Sequence, residues 1–342
     1  MLNILFRLVP VLFVFFNFIY GEEQTLTYPF TICSQTECYT VLGKLGEGAF
    51  GKVYEIQDSS GQHLALKAYK IPEDQRLADH PWSNAEREYK IGKSLNHVNI
   101  VKIVDLFYDQ SDFYQTTGCL IMEMIEGTTM REIEKKSLDH SQVQRAILQA
   151  LDALRYALAH EMIHLDLHGA NIMLANPLDV KIIDLASFYT FNELFNYATS
   201  ENKTEKILLP PTPRSSSKPV NDIKIQRFFM QNPKLLEKVK VAAKKIKKKE
   251  KLAKGIWMNS IGVGKNNRLQ IRSEMLPLLS YYLDSITEMC IEFLYKTDYS
   301  REEKLQRRVA FKLLAWNYYE DAEEGLLVPI DDYFDQLIRL LR

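Results

Sequence analysis

Gly46-Glu47-Gly48-Ala49-Phe50-Gly51-Lys52-Val53 decides the fold of this chain, because its glycines stand between two runs with the character of β-strands. Tyr39–Leu45 precedes them and Val53–Ile56 follows, and β-branched and aromatic residues recur in both runs. A dinucleotide-binding motif with the same glycine spacing leads into a helix instead. The stretch therefore predicts a hairpin whose backbone amides approach phosphate oxygens closely, which glycine permits because it has no Cβ.

Three further stretches follow in order along the chain. Leu64-Ala65-Leu66-Lys67 ends a strand-like run with a lysine, and His164-Leu165-Asp166-Leu167-His168-Gly169-Ala170-Asn171 combines a carboxylate with an amide. Val180-Lys181-Ile182-Ile183-Asp184 ends another β-branched run with an acid. Together with the glycines, these residues resemble a eukaryotic-type protein kinase from about Tyr39 to at least Asp184.

The resemblance implies a two-lobed α+β fold over residues 39–342 that binds ATP between its lobes. The N-lobe, residues 39–125, is expected to hold a small antiparallel sheet and one helix, and the C-lobe, residues 126–342, to be mainly helical. Divergence from the family is expected after about residue 209. The residues expected to contact the nucleotide are Leu45, Gly46, Gly48, Gly51, Val53, Ala65, Lys67, Glu123 and Ile125, with Glu123 and Ile125 acting through the backbone of the hinge between the lobes.

The lysine of such a site needs a carboxylate to hold it. Glu88, in the helical run Asn84–Lys90, has the family's spacing to the strand that follows, and Glu86 is the alternative. The resemblance then assigns Asp166 as the base that orients the substrate hydroxyl and accepts its proton. Asn171 and Asp184 are expected to hold Mg²⁺, a hard cation that prefers oxygen ligands. The expected catalytic residues are Lys67, Glu88, Asp166 and Asn171.

Three positions depart from the family pattern. Leu165 replaces the arginine that usually receives a phosphate from the activation loop, so activity is expected not to depend on such phosphorylation. His168 replaces a lysine or arginine and offers less charge to the γ-phosphate. Leu185-Ala186 replaces Phe-Gly after the metal-binding acid, and alanine is expected to restrict the backbone there.

The expected reaction is transfer of the γ-phosphate of ATP to a hydroxyl of a protein substrate, with serine or threonine favoured over tyrosine on base rate alone. A small-molecule kinase of the aminoglycoside or choline type shares the Asp-Leu-His pattern, although its members rarely keep all three lid glycines. A pseudokinase scaffold that binds ATP weakly is the other alternative.

The composition of the 342 residues limits the classes of function. Net charge is −1, so nothing in the whole chain indicates specific nucleic-acid binding, and 46% apolar residues suffice for both lobes. Four cysteines are too few for a disulfide scaffold, but Cys33 and Cys38 could close a small ring in an oxidising compartment. The chain is expected to be a monomer.

The first residues have the pattern of a secretory signal. Arg7 precedes a nearly apolar run from Leu8 to Tyr20, and cleavage after Gly21 would remove residues 1–21. The chain is therefore expected to be exported, as a secreted or lumenal protein or one delivered to another cell. An uncleaved signal would make it membrane-anchored, and residues 22–38 form an extension before the kinase domain.

The region after the metal-binding acid is expected to be rebuilt. Leu209-Pro210-Pro211 stands where the activation segment usually ends, and Asp222 is expected to anchor the backbone of the catalytic loop. Residues 233–255 contain ten lysines and predict a helix. That helix is either a solvated surface or a docking site for an acidic partner or anionic lipid. Three more helices are expected at Glu274–Tyr295, Arg301–Tyr319 and Asp331–Arg342.

Overall fold

The computed structural model describes residues 27–48, 51–70, 80–108, 116–135, 137–175, 178–199, 228–252, 261–263, 269–272, 275–321 and 327–342. The predicted export signal at residues 1–21, Phe50 of the lid, the Leu209-Pro210-Pro211 segment and Asp222 lie outside these ranges. Roles given to those residues stay predictions.

Within the described residues, the N-lobe is a six-stranded antiparallel sheet with one helix packed on it. The glycine stretch joins β2 to β3 as the predicted hairpin, and the strand order is β1-β2-β3-β4-β6-β5. Alternate residues of the strands point into the core, as Tyr54 and Ile56 do in β3. The elements are β1 (Phe30–Cys33), β2 (Cys38–Gly48), β3 (Gly51–Gln57), β4 (His63–Lys70), α1 (His80–Ser94), β5 (Ile103–Phe107) and β6 (Thr116–Glu123).

The N-lobe sheet has an edge strand from the segment expected to be an extension, while the domain bounds themselves stay a prediction. β1 comes from the extension and pairs with the start of β2 as the edge of the sheet. Cys33 lies directly opposite Cys38 in this pairing, and the two form a disulfide that closes the turn between the strands. A strand of four residues has too weak a pattern to be recognised without its partner.

The C-lobe is mainly helical, and small sheets support its loops. Its central helix, α2, buries Val143, Ile147, Leu151 and Leu154 on one side, as their spacing predicts. The elements are β7 (Gly127–Thr129), α2 (His140–Ala159), β8 (Met162–His164), β9 (Ile172–Ala175), β10 (Asp179–Ile182), β11 (Phe188–Thr190), α3 (Phe191–Thr199), α4 (Pro233–Leu252), β12 (Ile261–Val263), β13 (Leu269–Arg272), α5 (Leu276–Tyr295), α6 (Arg301–Asp321), β14 (Leu327–Pro329) and α7 (Asp331–Leu341).

The predicted C-terminal helices are present as α5, α6 and α7, within two residues of their expected ends. Pro277 stands in the first turn of α5, where its missing N–H costs no helical hydrogen bond. The lysine-rich helix is present as α4, with Val239 and Ala242 buried and Lys238 and Lys244 exposed. A binding role for α4 stays a prediction. No helix in the described ranges is both long and apolar enough to cross a membrane.

Candidate active site

Lys67 of β4 and Glu88 of α1 form an ion pair at the inner face of the N-lobe sheet. The Lys67 ammonium lies 2.7 Å from Glu88 Oε2, and Glu88 is only 1% exposed. Glu86, the alternative partner, instead pairs with Lys90 along the helix and is partly exposed. The structure therefore places the carboxylate that holds Lys67 at Glu88.

The buried Glu88 carboxylate has two further partners. The Tyr69 hydroxyl donates a hydrogen bond to Oε2, and the Leu185 backbone N–H donates to Oε1 at 3.2 Å. A buried carboxylate is stable only when such partners replace the lost water. Glu88 thus joins β4, α1 and the loop that follows Asp184. Tyr69 was missed from sequence, although it lies two residues after Lys67 and so on the same face of the strand.

Burial would lower the pKa of Lys67, but Glu88, Tyr69 and Asp184 outweigh it and raise the pKa well above its usual range. Lys67 therefore keeps its positive charge at any physiological pH. Burial and the Glu88 charge likewise raise the pKa of Tyr69, so its hydroxyl remains a donor.

Asp184 lies on the other side of Lys67, with 3.5 Å between the ammonium and Oδ1. Its Oδ2 accepts a hydrogen bond of 2.7 Å from the Ser187 hydroxyl. Asp184 itself has the left-handed backbone (φ 58°, ψ 57°), a strained conformation that clusters at functional sites. Leu185 and Ala186 follow in a short 3-10 helix with negative φ, so this conformation needs no glycine after Asp184.

In the catalytic loop, His164 to Asn171, two hydrogen bonds fix the backbone at Asp166. Asn171 Nδ2 donates to the Asp166 carbonyl at 2.8 Å, and the Asp166 N–H donates to His164 Nδ1 at 3.2 Å. His164 is fully buried and stands edge-on to Phe188. The Asp166 side chain remains 59% exposed, as a group that must reach a substrate requires.

Asp166 and His168 form a second polar pair in this loop, with His168 Nε2 3.4 Å from Asp166 Oδ1. The hydrogen bond from His168 holds the pKa of Asp166 below its usual value, and the same bond raises the pKa of His168. Nδ1 of His168 accepts the Ala170 N–H at 3.2 Å, a bond that only the neutral ring can make. His168 therefore holds the Asp166 carboxylate by a hydrogen bond.

The lid glycines differ in how close neighbouring atoms lie to them. A Cβ on Gly51 would lie 2.2 Å from the Ala68 carbonyl oxygen, so the close approach of β3 to β4 requires glycine there. A Cβ on Gly46 or Gly48 would meet nothing within 4 Å. Packing within the described residues therefore gives no reason for these two glycines, and the role expected for them, access of backbone amides to phosphate, stays a prediction.

The other expected nucleotide contacts lie on β2, β3, β4, the end of β6 and the segment that follows β6. Val53 pairs with Lys67 across the sheet, Ala65 is buried in β4, and Leu45 is 48% exposed on the lid strand. At the hinge, the Glu123 N–H already donates to the Lys102 carbonyl, so adenine would use the Glu123 carbonyl. Ile125 follows in the same segment and packs partly buried against the C-lobe core.

Mg²⁺ fits the oxygen atoms of Asn171 and Asp184. Because Asn171 Nδ2 is engaged by the Asp166 carbonyl, its Oδ1 is left for a cation. Asp184 supplies a carboxylate, and the Ile183 N–H donates to the Asn171 carbonyl, which brings the two residues close together. One amide oxygen and one carboxylate suit Mg²⁺, which usually takes its remaining ligands from water and substrate phosphates.

Glu292 of α5 is a second residue that the sequence did not reveal. Its Oε2 accepts the Gly169 N–H of the catalytic loop at 2.8 Å, and the Gly169 carbonyl accepts the Arg131 N–H. The structure shows an anchor at Glu292, which lies 123 residues from its partner and carries no local signal. The anchor predicted at Asp222 lies outside the described residues and stays a prediction.

One lobe contains a sheet, and its lysine pairs with an acid on a helix of the same lobe and with an acid of a second, mainly helical lobe. This is the architecture of the kinase class. Comparison with known proteins agrees, because residues 39–204 match the family model of the protein kinase domain. Residues 39–204 therefore match a eukaryotic-type protein kinase domain, divergent from the relatives at about 30% identity.

The curated relatives are similar over part of this chain. Cyclin-dependent kinase-like 1 of Caenorhabditis elegans is 31% identical over 170 residues, which cover 49% of this chain and 43% of that protein. Cyclin-dependent kinase-like 4 of Mus musculus is 30% identical over 151 residues, 43% of this chain and 42% of that protein. Serine/threonine-protein kinase 10 of Danio rerio is 31% identical over 153 residues, 43% and 15% respectively. The chain thus spans less than half the length of these relatives.

Proposed function

We propose that this protein transfers the γ-phosphate of ATP to serine or threonine hydroxyls of a protein substrate. The observation that carries the proposal is the position of Lys67, whose ammonium lies 2.7 Å from Glu88 and 3.5 Å from Asp184. A lysine held in this way reaches phosphate oxygens while the acid beside it faces the metal site. The names of relatives, one of them a serine/threonine-protein kinase, support the choice of acceptor.

Each side chain has a distinct task in this proposal. Lys67 holds the α- and β-phosphates, and Gly46 and Gly48 bring lid amides to them. Asp166 accepts a hydrogen bond from the substrate hydroxyl and takes its proton as the phosphoryl group is transferred. Mg²⁺ held by Asn171 and Asp184 would neutralise charge on the phosphates. Positioning and charge neutralisation supply most of the catalysis, because the loose transition state needs little covalent chemistry.

The low pKa of Asp166 is compatible with this task. A carboxylate near its substrate hydroxyl acts mainly by orienting it, and it takes up the proton only as the new bond forms. The hydrogen bond from His168 to Asp166 limits the directions that the carboxylate can adopt. His168 therefore acts by orienting the Asp166 carboxylate more than by making it a stronger base.

The test uses the purified full chain with labelled ATP and Mg²⁺, offered a basic protein and peptide libraries with serine, threonine or tyrosine acceptors. Transfer to serine and threonine is expected, and Lys67→Met, Asp166→Asn and Asp184→Asn should each reduce it more than about 100-fold. Glu86→Gln is the matched control, because Glu86 is on the same helix as Glu88 but pairs with Lys90.

Two results would overturn the proposal. Transfer to aminoglycosides or choline without protein labelling would indicate a small-molecule kinase. Nucleotide binding without transfer to any acceptor would indicate a scaffold.

We also propose export into an oxidising compartment. What supports it is the pairing of Cys33 with Cys38 across the first two strands, while Cys119 and Cys290 stay buried as free thiols. The test is expression of the tagged chain in secretory cells, in which export should give a lumenal or extracellular product with residues 1–21 removed. A product that stays in the cytosol would contradict the proposal.

A further inference from the structure

Arg87 lies next to Glu88 on α1 and reaches across to the segment that follows Asp184. Its guanidinium forms an ion pair with Glu193 and donates hydrogen bonds to the carbonyls of Ala186 and Phe188. It also lies over the Tyr189 ring, 4.0 Å from the centroid. One side chain thus contacts four residues of this segment.

Local hydrogen bonds hold the Glu193 carboxylate where it binds Arg87. Glu193 lies in the first turn of α3, where its carboxylate also accepts the N–H and hydroxyl of Thr190 at 2.7 and 2.9 Å. The Thr190 hydroxyl in turn accepts the Glu193 N–H, which completes a capping box. Burial by itself would raise the pKa of Glu193, but Arg87 and Thr190 hold it below its usual value. The carboxylate is therefore charged at neutral pH and fixed in direction.

The contacts of Arg87 connect the two elements that carry Glu88 and Asp184, the acids on either side of Lys67. α1 carries Glu88, and the segment from Leu185 to Glu193 continues directly from Asp184. Glu88 joins these elements through the Leu185 N–H, and Arg87 joins them again one residue away. The side chains of Arg87 and Glu193 are 19% and 38% exposed, so their ion pair is less screened by water than a fully exposed pair.

Leu165 bears on the role of Glu193, because it replaces the arginine that binds phosphate in the family pattern. An arginine at position 165 would receive a phosphate from the segment after Asp184, but leucine cannot bind one. A phosphate orders a segment by offering arginine a fixed, strongly accepting anion. Glu193 offers a permanent anion in the same role, and the arginine that binds it lies on α1.

We infer that Arg87 and Glu193 are positioning residues, which hold α1 and the segment after Asp184 in the arrangement that pairs Lys67 with Glu88, without phosphorylation. This inference rests on the proposed phosphoryl transfer for its kinetic consequence. Its structural consequence, a fixed α1 in the unphosphorylated chain, is independent of any acceptor.

Glu193→Gln is the sharpest variant. Glutamine serves the capping box as glutamate does, so Thr190 keeps its partner while the charge that binds Arg87 is lost. Thr190→Ala is the matched control, because it removes the capping hydroxyl and leaves the carboxylate in place. Arg87→Glu combined with Glu193→Arg restores opposite charges in reversed positions and tests rescue.

The measurements use the full chain treated with phosphatase and checked by mass spectrometry. The first is kcat and KM for ATP, measured with the acceptor that the phosphoryl-transfer assay identifies. The second is hydrogen exchange of α1, and the third is the affinity for Mg·ADP. The last two report on α1 and the nucleotide site even if no acceptor is ever found.

We expect Glu193→Gln to lower kcat/KM about 10-fold or more and to speed exchange in α1, since it removes a charge-assisted hydrogen bond. Thr190→Ala should lower thermal stability and leave kcat/KM within about 2-fold, and the reversed pair should recover part of the loss. The inference is overturned if Glu193→Gln matches the parent chain in both kcat/KM and α1 exchange. It is also overturned if phosphatase treatment alone loosens α1.

Discussion

The Tyr69 hydroxyl donates to Glu88 Oε2, the same oxygen that lies 2.7 Å from the Lys67 ammonium. The Lys67 ammonium also lies over the Tyr69 ring, 5.0 Å from its centroid. Tyr69 therefore holds both members of the ion pair, one through its hydroxyl and the other through its ring.

Tyr69→Phe tests the hydroxyl alone, because phenylalanine keeps the buried ring. Loss of a hydrogen bond to a charged group should lower the free energy of unfolding by about 1.5–3 kcal/mol. Glu88 would be less firmly directed at Lys67, so KM for ATP should rise several-fold. Urea denaturation and steady-state kinetics measure the two effects.

Tyr39→Phe is the matched control for that variant, because Tyr39 is buried in the same sheet but away from the ion pair, against Phe107. It should leave KM unchanged. An unchanged KM in both variants would show that the Tyr69 hydroxyl has no part in positioning Glu88.

The Arg87–Glu193 pair should make stability depend on pH in the acid range. The folded chain lowers the pKa of Glu193, so the stabilisation is present above the unfolded pKa of about 4.3. It is lost as pH falls through the lower, folded-state pKa. The melting temperature of Glu193→Gln should therefore be below that of the parent chain at pH 7, and the difference should stay nearly constant until the pH falls below about 4.3, where it should begin to shrink. A difference that does not shrink as the pH falls well below this value would contradict the ion pair.

Removal of Glu292 should loosen the catalytic loop. Glu292→Leu leaves the buried Gly169 N–H without its acceptor, at a cost of about 1–3 kcal/mol in the free energy of unfolding. Since the loop carries Asp166, kcat should fall while KM for ATP changes little. Glu288→Leu is the control on the same helix, because Glu288 is partly exposed and pairs with Lys312. Equal losses of kcat in both variants would argue against the anchor.

The Cys33–Cys38 disulfide should stabilise the edge of the N-lobe sheet. It closes a short loop, with a sequence separation of 5, for which the loss of unfolded-state entropy corresponds to about 2 kcal/mol. Replacing both cysteines with serine should lower the free energy of unfolding by about that amount, measured by urea denaturation. Reductant should lower the stability of the parent chain similarly and leave the double variant unchanged. A parent chain insensitive to reductant would refute the prediction.

The sequence predicted the parts of the site whose signals are local. The glycine hairpin depends on residue type within eight positions, and Lys67 and Asp184 each end a β-branched run. Helix α2 follows from apolar residues three and four apart. Such patterns can be read because backbone geometry imposes them on neighbouring residues, whatever the rest of the chain does.

Signals that depended on one short element were weaker. β1 has only four residues, and its pairing with β2 is what identifies it as an edge strand. Thr190 and Glu193 have the spacing of a capping box, a sign of a helix start that sequence reasoning could have used. Nothing in that spacing indicates that Arg87 binds the same carboxylate.

The sequence by itself thus determined the kinase-type fold and the order of Lys67, Asp166, Asn171 and Asp184 along the chain. Only the tertiary structure decided which side chains hold them. Arg87 and Glu193 are 106 residues apart, and Gly169 and Glu292 are 123 apart. Contacts at such separations depend on how helices of the two lobes pack, and packing is set by the whole buried surface and by no local pattern.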